Sequence, residues 1–146
     1  MLRFIMKETD EYDRLVEFMS KFGLEFDGED QVGNQVLKCW KVIQEPDHLT
    51  GGIILSMRQG EYILNGIAVD TPMRKSGIGR IMVDKLVTDV RKREGKRIYL
   101  VAKVPEFFEK VGFVPVEGHE VDHLFTCGNC RQKGDTCFPK IMKMEL

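Results

Sequence analysis

No stretch of this chain reaches the roughly 18 consecutive apolar residues that a membrane-spanning helix needs. The opening run from Leu2 to Met6 is too short for the apolar core of a secretory leader, so a soluble, cytoplasmic protein without a membrane partner is expected. Excess charge is missing as well. With 22 Lys and Arg against 23 Asp and Glu, a net charge of −1 and a pI near 6.3, the chain lacks the basic surplus of nucleic-acid-binding proteins. There are no internal repeats and no low-complexity tracts. Cysteine is scarce, four in 146 residues, and three of the four fall between Cys127 and Cys137. That spacing suits metal or redox chemistry better than a disulfide framework, and a domain of this length buries a core without cross-links.

What is present is a succession of apolar periods. Residues 2–6 predict a first strand, and Thr9 and Asp10 start a helix in which Tyr12, Leu15, Val16, Met19 and Phe22 recur at helical spacing until Gly23. Glu25 to Gly33 reads as a loop. Val36 to Ile43 and Ile53 to Met57 predict antiparallel strands joined by Glu45-Pro46-Asp47-His48 and Gly51-Gly52, and Tyr62 to Val69 predicts a third. A helix from Gly77 to about Glu94 carries Ile78, Met82, Leu86 and Val90 in one stripe, widened by Ile81, Val83 and Val87. Gly95 closes it, and Arg91, Lys92 and Arg93 suit its negative end. Arg97 to Ala102 is a strand, Pro105 opens a short helix that Gly112 ends, and Phe113 to Val116 and Lys140 to Leu146 are the last strands. The order β-α-β-β-β-α-β-α-β-β predicts one α/β (α+β) domain over residues 1–146, a mixed sheet with helices on both faces. A ligand is expected where strand ends meet a helix N-terminus.

One segment makes that expectation specific. Val69-Asp70-Thr71-Pro72-Met73-Arg74-Lys75-Ser76-Gly77-Ile78-Gly79-Arg80 runs from an apolar strand through a small-residue turn into the long amphipathic helix. Backbone N–H groups at a helix start have no intrahelical partners and lie at the positive end of the dipole, which makes a phosphate cradle. A Walker A loop is excluded, because no glycine here stands at the required spacing from Gly-Lys-Ser/Thr. The dinucleotide fingerprint fails at Met82, a bulky residue where its third glycine belongs. The remaining pattern, Arg74-x-x-Gly77-x-Gly79 after a strand ending in Val69, resembles the acetyl-CoA loop of the GNAT N-acetyltransferases. Phe107-Phe108-Glu109-Lys110-Val111-Gly112-Phe113 is similar to the element that follows the fifth strand in that family, with one helix and one strand between the two motifs.

The resemblance implies a mostly antiparallel sheet of six to seven strands, parted between the fourth and fifth, with acetyl-CoA in the gap. Its pantetheine would pair along Ile67, Ala68 and Val69, its pyrophosphate would lie on Arg74, Lys75, Ser76, Gly77, Ile78, Gly79 and Arg80, and the acceptor amine would enter from the opposite side. A backbone N–H near Val69 would serve as the oxyanion donor, a contribution on the order of 3 kcal/mol where measured. A thiol with a pKa of about 8.5 leaves readily. Many members carry a Tyr acid where Phe108 stands; Phe108 donates no proton and is read as a cofactor contact, although aromatic residues on a short helix also suit the core. Some members hold a Glu base where Ile63 stands, which leaves Glu61 and Asp70 as the nearest carboxylates, each also readable as a solvated strand-end group. The expected activity is transfer of an acetyl group to a primary amine of a small molecule, with a homodimer open. A CoA-binding sensor that has lost catalysis, or a metal-knuckle interaction module, is the competing reading.

Cys127-Gly128-Asn129-Cys130 followed by Cys137 lets thiolates chelate one soft metal from a loop over about residues 119–138, inserted between the last two strands. Zinc would take a fourth ligand from His123 or His119, with Cys39 more distant; an iron–sulfur cluster, a reduced metal-free loop or a labile Cys127–Cys130 disulfide are the alternatives. A cysteine loop at this place is similar to short GNAT proteins related to N-acetylglutamate synthases, which implies glutamate or a similar amino acid as acceptor.

Overall fold

The computed structural model of the protein describes residues 4–21, 35–70, 77–102, 105–116 and 140–146. In chain order the elements are β1 (Phe4–Thr9), α1 (Tyr12–Ser20), β2 (Gln35–Gln44), β3 (His48–Arg58), β4 (Glu61–Val69), α2 (Ile78–Lys92), β5 (Arg97–Ala102), α3 (Pro105–Lys110), β6 (Val114–Pro115) and β7 (Lys140–Glu145). They build a seven-stranded sheet in the order β1-β2-β3-β4-β5-β7-β6. Only β4 and β5 pair in parallel; every other neighbour is antiparallel. This is the mixed, mostly antiparallel sheet expected, with a helix on each face. β6 is shorter than the strand expected from Phe113 to Val116, and the expected helix stop at Gly23 lies outside the described residues.

The two faces divide the core. On one, α2 lays Ile78, Met82, Val83, Leu86 and Val90 over Trp40, Ile53, Leu55, Leu64, Ile98 and Leu100. On the other, Leu15, Phe18 and Met19 of α1 cover Cys39, Ile43, Leu49, Ile54 and Ala68. Ile81, expected to widen the α2 stripe, is instead 57% exposed. The buried Gly79 is the reason: it draws the contact line toward residues 79, 83 and 87 and leaves Ile81 on the outer side.

Gly51 and Gly52 are corrected too. They were expected in a turn, yet they lie inside β3, which begins at His48. A Cβ on Gly51 would meet Met82 Cε at 3.2 Å, and one on Gly52 would meet Leu15 Cδ2 at 2.6 Å. Helices descend on both faces of β3 at this point, and only residues without side chains leave room for them.

The start of α1 is fastened by side chains rather than by the expected cap. Glu11 occupies the cap position without capping the helix. Its N–H instead donates to Thr9 Oγ1 at 3.1 Å, and its carboxylate accepts from Thr9, from Arg14 at 3.1 Å and from the buried Lys41. Arg14 also reaches the β2–β3 turn, donating from Nη2 to the Asp47 carbonyl at 3.0 Å.

Candidate active site

The central feature is a parting in the sheet. β4 pairs with β3 from Arg58↔Glu61 to Gly51↔Val69, but among the described residues it pairs with β5 only at Tyr62↔Ile98 and Ile63↔Tyr99. The next register step explains the separation: Leu55 pairs Leu64 and Ile54 pairs Gly66, which makes Asn65 the extra residue of a β-bulge. A bulge bends and twists its strand. β5 does not follow, because β7 holds it along its whole length from Arg97↔Glu145 to Ala102↔Lys140.

The register also decides which backbone groups face the gap. The Asp70 N–H donates to the Thr50 carbonyl at 2.8 Å, which makes Gly51↔Val69 a non-hydrogen-bonded pair. In such a pair the N–H and C=O point away from the partner strand. Val69 and, two residues earlier, Ile67 therefore direct their backbone groups toward β5 and the gap. Ala68 directs its own to β3 and its side chain to the α1 face.

α2 starts beside the end of β4. Gly77, its cap residue, has φ 89°, and the first turn carries neither a side-chain cap nor an acidic residue. The first intrahelical bond runs from the Ile81 N–H to the Gly77 carbonyl at 3.1 Å, so the N–H groups of Ile78, Gly79 and Arg80 point out of the helix end. A Cβ on Gly77 would meet nothing within 4 Å. Among the described residues the terminus is positive, open and without an acidic residue in its first turn, which fits a pyrophosphate.

Gly79 has a different task. A Cβ there would meet Phe107 Cζ at 3.0 Å and Val69 Cγ2 at 3.7 Å. The missing side chain is the space into which α3 places an aromatic ring, and this locks the start of α2, the end of β4 and α3 together. Phe108 is buried in the core, edge-on to Phe113 with ring centroids 5.9 Å apart. Ile63 is also buried, between Ser56 on β3 and Tyr99 on β5.

The two carboxylates occupy opposite ends of β4, roughly 30 Å apart at the rise of a strand. Glu61 lies at the far end, 3.6 Å from Arg97, and is not brought to the cradle. Asp70 directly follows Val69, and its Oδ2 lies 3.4 Å from His48 Nε2. His48 had been read only as a turn residue; nothing local in the chain signals that the first residue of β3 meets the end of β4. Arg80 is exposed at the helix start, whereas Arg74, Lys75 and Ser76 lie outside the described residues.

Cys127, Cys130, Cys137, His119 and His123 also lie outside the described residues. Cys39 is buried under α1, and burial pushes its thiol up to about 11. Among the described residues no three metal-ligating side chains come together.

A sheet parted beside an uncapped helix N-terminus is the arrangement that the resemblance to the GNAT acyl-CoA-dependent transferases implied. The model of the acetyltransferase (GNAT) family matches residues 5–113, and the chain belongs to that family. Among solved structures, a GNAT-family acetyltransferase from Staphylococcus aureus Mu50 superposes with a TM-score of 0.74 at 19% identity, covering 99% of each chain. The ribosomal-protein-S18-alanine N-acetyltransferase from Escherichia coli gives 0.69 at 16% identity, over 98% of this chain and 94% of that one. A GNAT-family acetyltransferase from Elizabethkingia anophelis with acetyl-CoA bound gives 0.65 at 15% identity, over 98% of both. At these identities the likeness is one of fold. No curated protein matches the chain.

Proposed function

We propose that the protein transfers the acetyl group of acetyl-CoA to the primary amine of a small molecule, an amino acid being the first class to test, by direct attack within a ternary complex. The observation that carries this is the parting of β4 from β5 beyond Ile63, beside the uncapped start of α2. Ile67 offers backbone groups to an extended, amide-containing chain in the gap, and the N–H groups of Ile78, Gly79 and Arg80 offer a site for its phosphates. A backbone N–H near Val69 would receive the charge that develops on the thioester oxygen. Neither Phe108 nor Ile63 takes a proton, so the departing thiolate is protonated by water, which its low basicity allows.

The same two residues favour a second reading, a CoA-binding sensor without turnover. Thiol release from acetyl-CoA, followed across amino acids, polyamines and N-terminal peptides, separates the two. The transferase reading predicts turnover with a selective acceptor and its loss in Gly77→Trp, whose side chain fills the open space before α2. CoA binding without turnover for any amine supports the sensor. The metal proposal for Cys127, Cys130, Cys137 and His123 is tested on the same preparation by its zinc and iron content before assay.

A further inference from the structure

We propose that His48 and Asp70 form a proton relay on the acceptor side of the reaction, a role that rests on the transferase reading above. Val69 packs on the α2 face of the sheet, toward Gly79, so the alternation along β4 turns Asp70 to the opposite face with Ala68. The carboxylate thus stands one residue beyond Val69 and on the side away from the phosphate cradle.

Three features outside the strand ladders build this corner. Thr50 is the extra residue of a second bulge, since Val42 pairs Gly51 and Ile43 pairs Leu49. Its hydroxyl donates to the Val42 carbonyl at 3.0 Å, and its own carbonyl accepts the Asp70 N–H at 2.8 Å. On the other side of His48, Arg14 of α1 grips Asp47 through the carbonyl and through Oδ1 at 3.5 Å. His48 Nε2 then faces Asp70 Oδ2 at 3.4 Å while its side chain stays 63% exposed, against 29% for Asp70. Asp70 is the more sheltered member of the pair, and His48 opens to water.

The steps balance. Asp70 holds the acceptor ammonium and passes one of its protons to His48 Nε2, and His48 releases a proton from Nδ1 to water. The freed amine pair attacks the thioester carbon, forming the C–N bond as the charge moves onto the thioester oxygen. The C–S bond then breaks, the amide nitrogen sheds its second proton through the same relay, and the thiolate takes a proton from water.

The test is steady-state thiol release by the full chain with the best acceptor of the amine panel. His48→Ala is expected to lower kcat by about 10-fold or more, to leave the KM for acetyl-CoA within about twofold, and to regain rate when free imidazole is added. Asp70→Asn, which keeps its backbone bond to Thr50, is expected to raise the acceptor KM as well. Wild-type kcat/KM for the acceptor in His48→Ala, or a loss that imidazole does not restore, overturns the relay while leaving the transferase reading intact. Wild-type protein that turns over no amine overturns the transferase reading and the relay with it.

Discussion

Replacing Gly77 isolates what the start of α2 requires of the backbone. At φ 89° a side chain is strained whatever the space around it, and here the space is empty, because a Cβ meets nothing within 4 Å. The cost of Gly77→Ala is therefore conformational and not steric, about 1–2 kcal/mol for a residue forced into the left-handed region. In a domain of this size that is a fall in Tm of roughly 3–8 °C by differential scanning calorimetry. Asn visits the left-handed region more readily, so Gly77→Asn is expected to recover a good part of the loss even though its side chain is larger. An order of Ala below Asn below Gly supports the argument. Equal stability of Ala and Gly, or an Asn variant worse than Ala, refutes it, the first by showing that the turn is not left-handed and the second by showing that the space is not open.

Three further outcomes are expected. A Cβ on Gly95 meets Val90 Cγ1 at 2.4 Å and the Tyr62 ring at 2.8 Å; Gly95→Ala should cost about 1–3 kcal/mol in urea unfolding, the usual price of overpacking. The Glu11 carboxyl is drawn from its ordinary 4.5 to about 2, first by its hydrogen bond with Lys41 and then by Thr9 and Arg14. A carboxylate lowered in the folded state contributes stability that is complete above its unfolded pKa and lost as pH falls through the folded one, so Lys41→Met should flatten the acid decline in stability between about pH 4.5 and 2; equal slopes in the two proteins contradict this. The Cys39 thiol, held neutral by burial with its pKa up at about 11, should resist alkylation at pH 8 in native protein and react once it is unfolded, as read by peptide mass spectrometry.

The features that the sequence made legible are those written in consecutive residues. The α2 stripe and the chain order of the elements each depend on spacing within one segment; the closure of α2 does not fall on Gly95 as expected, since the helix ends at Lys92 and Glu94 takes the left-handed φ of 62°. The features it concealed are set by packing between segments. Gly51-Gly52 has the composition of a turn, and only the descent of Leu15 and Met82 from opposite faces places it inside a strand. Asn65 carries no local mark of a bulge; the mismatch of Leu64 and Gly66 against Leu55 and Ile54 makes it one, and with it the gap. Gly79 looked like a second approach point for phosphate, yet its space belongs to Phe107, 28 positions along the chain. Asp70 was legible as a carboxylate next to the cradle, but its partner His48 was not, because the register that joins them arises only when β3 folds back on β4.

The central claim is that acetyl-CoA lies between the parted strands with its phosphates on the start of α2. Amide hydrogen exchange, residue by residue and with and without acetyl-CoA, tests it most directly. The account predicts slowed exchange concentrated at Ile67, Ile78, Gly79 and Arg80, with Ala68 unchanged because β3 already occupies its N–H. Binding that protects a different set of amides, or no binding at millimolar acetyl-CoA, contradicts it.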